Sequence, residues 1–251
     1  MVSLGVGLNQ FCGGTLISDT WIVTAAHCVT RGSSITVGLG YYDKYNSDHY
    51  TLKRSVRQIE RHRDYNNGTP MDNDIALLRI DSIEWAKYPQ IRPVCLPDTT
   101  SEQYVGEIGT ITGWGTTSYG GQDSDILQEV DIPIISNDKC ANVYDITDNM
   151  ICATQPEGGL DSCQGDSGGP MIVQDGGNNE LVGIVSFGYK CAEKGYPGVY
   201  TRVTQHLSWI NKITGNNGYC PRSTSEPTSP TSPTAVGDVG GVEPWFYASY
   251  V

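Results

Sequence analysis

The amino-acid sequence predicts an all-β fold, and three observations carry that prediction. The 251-residue chain holds 30 glycines and 15 tyrosines. Short segments rich in β-branched and aromatic residues recur between turn residues, at residues 15–17, 21–24, 35–39, 75–80, 109–113 and 181–187. Sustained helical periodicity is almost absent. Such spacing predicts antiparallel sheets closed into barrels or sandwiches, in one domain or two close-packed halves. One late segment has helical spacing: Val203, Leu207, Ile210 and Ile213 share a face, Thr204 is placed to cap it and Gly215 to stop it. That helix is too short to form alone and must dock on the body. Residues 83–100, with Pro89, Pro93 and Pro97, read as a connector between halves.

Beyond Cys220 the composition changes abruptly. Twelve of the fourteen residues at 221–234 are Pro, Ser or Thr, which predicts an extended linker, a target for O-glycosylation, with no core of its own. Residues 244–251 (PWFYASYV) read as a frayed end, the alternative being a docking peptide. The expected division is a folded domain over residues 1–217 and a Pro/Ser/Thr-rich linker and disordered tail over 218–251.

Twenty-eight acidic residues stand against sixteen basic ones, a net charge of -12. Nucleic acid is not an expected partner, because phosphate binding needs clustered Lys and Arg. The richest basic stretch, Lys53, Arg54, Arg57, Arg61 and Arg63, reads as a solvated strand face, with an exosite for acidic partners as the alternative. No apolar run approaches the roughly 20 residues of a membrane span. Asn67-Gly68-Thr69 is a glycosylation sequon weakened by Pro70.

The cysteines Cys12, Cys28, Cys95, Cys140, Cys152, Cys163, Cys191 and Cys220 form an even set without a CxxC pair, and there are only four histidines. Zinc is therefore not expected, and disulfides in an oxidising, extracellular compartment are. Met1 to Gln10 (MVSLGVGLNQ) has neither the basic nor the long apolar region of a signal peptide. The expectation that reconciles the two is a natural chain extending further at the N-terminus.

Three segments carry the chemistry: TAAHC around His27, DNDIALL around Asp74 and DSCQGDSGGP around Ser167. A serine hydroxyl attacks well only when an imidazole accepts its proton, and the imidazole needs a buried carboxylate to set its tautomer. Ala25 and Ala26 let backbone pack beside a ring that must stay reachable. Ile75-Ala76-Leu77-Leu78 suits a carboxylate held out of water. Gly165, Gly168 and Gly169 permit a tight turn whose N–H groups converge on an oxyanion.

With CGGTLIS, WIVTAAHC, DNDIALL, PVCLP, ITGWG, GDSGGP, VSFG and PGVYTRV in order, residues 2–217 resemble the trypsin and chymotrypsin family of serine proteases. The general description of the Ser-His-Asp triad is itself drawn from that family. The resemblance implies two packed six-stranded antiparallel β-barrels with a short C-terminal helix. It implies Ser167 as nucleophile, His27 as general base and then acid, Asp74 as orienting carboxylate, and the Gly165 and Ser167 N–H groups as the oxyanion hole. Asp161 matches the acid that binds Arg or Lys at the base of the primary pocket in the trypsin-like branch. Gly188 and Gly198 match its wall, Ser162 adds a polar contact, Ser186 supports the triad Asp, and Met71 lines the next subsite. Disulfides Cys12–Cys28, Cys140–Cys152 and Cys163–Cys191 are implied; Cys95 and Cys220 are expected to pair with each other, the alternative being Cys95 bonded to an upstream segment and Cys220 to a partner.

The sequence also departs from the family pattern. Phe187 stands where Trp is usual. Lys190 occupies a rim position that is often Gly, and its cation is expected to disfavour basic groups there. Tyr41 and Tyr42 replace the start of a calcium loop, and Asp43 with Asp48 offers too few oxygens, so no metal and no cofactor are expected. In the family, cleavage frees an Ile or Val amine that pairs with the acid before the serine. No such segment precedes CGGTLIS, which leaves Asp166 expected to lack that partner and a zymogen-like state to be weighed.

The leading reading is a secreted endopeptidase acting through an acyl-enzyme. Its expected partners are polypeptides with Arg or Lys before the scissile bond, and protein inhibitors, with the protein itself a monomer. The rival is a catalytically inactive homologue that binds or regulates. A mucin-like stalk with an adhesive tail would account for residues 221–234 and leave the three segments unexplained.

Overall fold

The computed structural model describes residues 1–6, 9–29, 34–101, 103–159, 161–175 and 177–215. The linker, the 244–251 tail and Cys220 lie outside the described residues.

Thirteen strands dominate the described residues. In chain order they are β1 (Val2–Val6), β2 (Asn9–Leu16), β3 (Trp21–Thr24), β4 (Thr36–Leu39), β5 (Leu52–Ser55), β6 (Gln58–Arg61), β7 (Ala76–Arg79), β8 (Ile108–Gly113), β9 (Gln128–Ile135), β10 (Met150–Ala153), β11 (Pro170–Asp175), β12 (Asn178–Phe187) and β13 (Gly198–Arg202). A four-residue helix α1 (Asn137–Cys140) precedes β10, and α2 (Leu207–Thr214) closes the described chain.

The second half is a closed barrel in the order β10-β13-β12-β11-β8-β9, every neighbouring pair antiparallel. The first half differs from the expected six-stranded barrel. It is a seven-stranded antiparallel sheet in the order β5-β4-β1-β2-β3-β7-β6, curled but unclosed, because its end strands β5 and β6 do not pair. Both end strands point charged residues to solvent, Lys53 on β5 and Arg61 on β6. Charged side chains on a strand edge discourage further pairing.

Burial explains the strands. All four residues of β3 and the first three of β7 are buried, and the two strands pair Ile22 with Leu78 and Val23 with Leu77. In β8 the inner face reads Gly109, Ile111, Gly113, small flanking large, as a tapered barrel interior requires. Apolar burial of this kind contributes roughly 25 cal/mol per Å² removed from water. Leu181 and Ile184 of β12, with Val203, Leu207 and Ile210, join the core of the first sheet, so α2 docks as expected on that half.

The helix begins differently from expectation. Residues Val203–His206 form a 3-10 turn before α2, and neither N-cap position, Arg202 or His206, makes a side-chain capping bond. Thr204 is fully buried and its Oγ1 has no hydrogen-bond partner among the described residues, so it is not the cap. Gly215 stops α2 as expected, with φ 71° and ψ 38°, the left-handed geometry open to glycine.

Three disulfides join Cys12 to Cys28, Cys140 to Cys152 and Cys163 to Cys191. Cys95 is also disulfide-bonded.

Candidate active site

His27 lies on the 3-10 turn Ala26–Val29 that follows β3. Ala25 and Ala26 are fully buried, and their small side chains let this turn pack against the opposite half. Asp74 sits just before β7 with no exposed surface, whereas the His27 side chain keeps 25% of its surface in solvent. Asp74 Oδ2 meets His27 Nδ1 at 2.7 Å, and Oδ1 accepts the His27 backbone N–H at 2.9 Å. Ring and main chain are thus held by one carboxylate, which orients the imidazole with Nε2 outward. Ser186 Oγ donates to Asp74 Oδ2 at 2.6 Å, and Thr201 Oγ1 donates to the Asp74 carbonyl at 2.7 Å. Burying a carboxylate is costly unless its oxygens are hydrogen-bonded in this way.

Ser186 reaches Asp74 because β12 bulges there. The register slips between Val185, opposite Tyr200, and Phe187, opposite Val199, leaving Ser186 the extra residue. A bulge re-aims its side chain out of the strand alternation.

Ser167 sits in the turn between β10 and β11, which is anchored to the His27 half. The Gly13 N–H donates to the Ser167 carbonyl at 2.7 Å, and the Cys28 sulfur lies 3.6 Å from the same oxygen. The Ser167 hydroxyl makes no hydrogen bond to the imidazole among the described residues, and such contacts often tighten only with substrate bound. Gly165 and Gly168 have φ of 99° and 79°. A Cβ on Gly168 would lie 2.7 Å from the Gly13 carbonyl, so this close approach excludes any larger residue. Neither the Gly165 nor the Ser167 N–H donates to a backbone acceptor among the described residues.

Asp166 is buried, and backbone N–H groups meet its carboxylate. It accepts N–H bonds from Gly115 at 2.8 Å and Cys163 at 2.9 Å. Burial raises its pKa and these two bonds oppose the rise. Gly113 and Gly115 leave its place open, since a Cβ on either would collide with the carboxylate.

A cleft of 230 Å³ opens beside Ser167, lined by Asp161, Ser162, Ser186, Phe187, Gly188 and Gly198, among others. Seven of the expected pocket and nucleophile positions therefore meet in one cavity. Asp161 accepts the Ser162 N–H at 2.8 Å and the Ala192 N–H at 3.1 Å, and the Tyr200 hydroxyl at 3.4 Å. Burial raises the Asp161 pKa against those bonds. The carboxylate is therefore held by three donors while burial disfavours its charge. A Cβ on Gly198 would lie 2.8 Å from Asp161 Oδ1, whereas one on Gly188 would meet nothing closer than 3.8 Å. Gly198 makes room for the acid itself, and Gly188 for whatever enters.

Met71 is not among the described residues lining this cleft. Its sulfur takes the Tyr65 hydroxyl at 3.4 Å, and its backbone has φ 62°. Lys190 lines the rim as expected, but its ammonium lies 3.3 Å from Glu193 and over the Tyr189 ring, so its charge is offset. Phe187 packs edge-on against Tyr144, ring centres 5.6 Å apart. Sequence reasoning missed Tyr200, Thr201, Gln164 and Tyr119, which contact Asp161 or Asp74 or line the cleft. The Tyr-Thr of PGVYTRV was the available signal for the first two. One group of potential metal ligands occurs among the described residues, Cys12, His27 and Cys28, and both of its sulfurs are in a disulfide.

The trypsin family model matches residues 1–210. The chain is 44% identical over 213 residues to a trypsin of Squalus acanthias, covering 84% of this chain and 88% of that protein. It is 40% identical over 210 residues to trypsin-1 of Astacus astacus, with 80% and 86% covered. Over 219 residues it is 43% identical to trypsin I-P1 of Gallus gallus, with 86% and 84% covered. A closed antiparallel barrel facing a curled sheet, a histidine held by a buried carboxylate, and likeness along most of the chain converge on one conclusion: this protein belongs to the trypsin family of serine-type endopeptidases.

Proposed function

We propose that the protein is a secreted endopeptidase that cleaves after Arg or Lys through Ser167, His27 and Asp74. The observation that carries this reading is the Asp161 carboxylate at the side of the same cleft as Ser167, compensated by two N–H groups and open to a long cationic side chain. An Arg or Lys seated there places its carbonyl carbon at Ser167. His27 takes the hydroxyl proton as the oxygen attacks, and the imidazolium is stabilised by Asp74. The Gly165 and Ser167 N–H groups receive the carbonyl oxygen as it gains charge. The imidazolium then protonates the departing amine, leaving an acyl-enzyme, and water activated by the same ring releases the acid. Secretion is supported by the disulfides, which persist in oxidising compartments.

The test is labelling by a fluorophosphonate, which reacts only with an activated serine. Wild-type protein is expected to label at Ser167, and Ser167→Ala and His27→Ala proteins to stay unlabelled. Cleavage of a peptide library is expected only after Arg and Lys. Labelling at another serine, or cleavage after apolar residues, overturns the assignment.

A further inference from the structure

The loop between β4 and β5 is joined to the segment that leads from Trp114 to β9. The Lys44 N–H donates to the Asp125 carbonyl at 2.9 Å, the Leu127 N–H to the Tyr42 carbonyl at 2.8 Å, and Trp114 Nε1 to the same carbonyl at 3.1 Å. Asp43 and Ile126 form an antiparallel bridge. Across this seam the Lys44 ammonium lies 4.0 Å from Asp123 and 3.8 Å from Asp125, and its side chain keeps only 12% of its surface exposed. A lysine so covered between two carboxylates is not an ordinary solvated charge.

The segment leads directly to the reacting turn. The Thr116 N–H donates to the Gln164 carbonyl at 2.8 Å, and Gly115 holds Asp166. Asp123 Oδ1 lies 3.7 Å from where a Cβ on Gly165 would stand. A carboxylate so near the Gly165 turn opposes the negative charge that grows on the substrate oxygen, unless a cation offsets it.

We propose that Lys44 is a positioning residue for catalysis, whose ammonium offsets Asp123 beside the Gly165 turn and pins the segment that carries Gly115. The inference deepens the proposed function, since it rests on the Gly165 and Ser167 N–H groups receiving the oxyanion. Lys44 touches no substrate atom and acts through Asp123.

Full-length wild-type, Lys44→Met, Lys44→Arg, Asp123→Asn and Lys44→Met/Asp123→Asn proteins are compared on one Arg amide substrate, with rates normalised to fluorophosphonate-labelled Ser167. Lys44→Met is expected to lower kcat about two- to fivefold, the scale of a partly exposed ion pair, with KM unchanged. Lys44→Arg is expected to retain the rate, and Asp123→Asn to restore it in the Lys44→Met background. The deficit should shrink at 1 M salt, where charges are screened beyond roughly 3 Å. An unchanged kcat in Lys44→Met, or a fall that Asp123→Asn does not restore, overturns the inference while leaving the proposed function standing. Wild-type protein that fails to label at Ser167 overturns the proposed function and this inference together.

Discussion

Ser186 donates its hydroxyl proton to the oxygen of Asp74 that also faces the imidazole, at 2.6 Å against 2.7 Å for His27 Nδ1. The carboxylate is thus held from the barrel side by a residue that only a strand bulge could aim there. Hydrogen bonds to charged groups contribute about 1.5–3 kcal/mol. Ser186→Ala is expected to lower kcat roughly 10- to 100-fold while KM changes little, measured by steady-state hydrolysis of an Arg amide. A larger change in KM than in kcat would assign Ser186 to substrate binding alone.

Asp161 titrates above the usual carboxylate range because it is buried. A bound cation lowers that pKa, so affinity is complete above the pKa of the empty pocket and is lost as pH falls through it. Binding of an aryl amidinium, followed calorimetrically, is expected to weaken on acidification at a pH higher than the ~3.9 of a free aspartate. Asp161→Ser is expected to abolish both the binding and the preference for Arg and Lys.

The two cleft glycines should fail in different ways. Gly188→Val places methyl groups in the open cleft, so KM for Arg and Lys substrates should rise while fluorophosphonate labelling persists. Gly198→Val drives a side chain onto Asp161 and the Tyr200 hydroxyl, and thermal unfolding should occur at lower temperature as well. Equal melting temperatures for the two variants would contradict the packing described.

His206 is buried between the Arg202 carbonyl at 2.8 Å and Asn73 Oδ1 at 3.3 Å, with the His62 ring edge-on at 5.6 Å. Burial lowers its pKa to about 4. A base with a depressed folded pKa contributes stability above its unfolded value of ~6.5, and that stability is lost as pH falls toward the folded value. Denaturant unfolding should show a loss on the order of 3 kcal/mol between about pH 6.5 and 4 from this residue. In His206→Gln that slope should flatten, and an unchanged slope would exclude His206 as its source.

Much of the site was legible because its residues sit in short, dense motifs. His27, Asp74 and Ser167 each stand among small or apolar neighbours whose packing role follows from side-chain size alone. The helix stop at Gly215 was equally readable, since the left-handed backbone it needs is a property of one residue. The helix start was not, because Thr204 has a capping side chain yet points into a core formed by strands far away in sequence. The ion pair of Lys190 with Glu193 was not legible for the same reason: the charge was visible, but its partner depended on how the rim folds.

Local chemistry in the chain determined the all-β class, the helix stop and the motifs that hold His27, Asp74 and Ser167, because each depends on residues within one turn or strand. Tertiary structure alone decided that the first sheet stays open, that a bulge aims Ser186 at Asp74, that Asp166 finds two N–H donors, and that Lys44 meets Asp123. Those outcomes arise from contacts between segments separated by dozens of residues, where register and burial are fixed by the packing of the whole rather than by any local pattern.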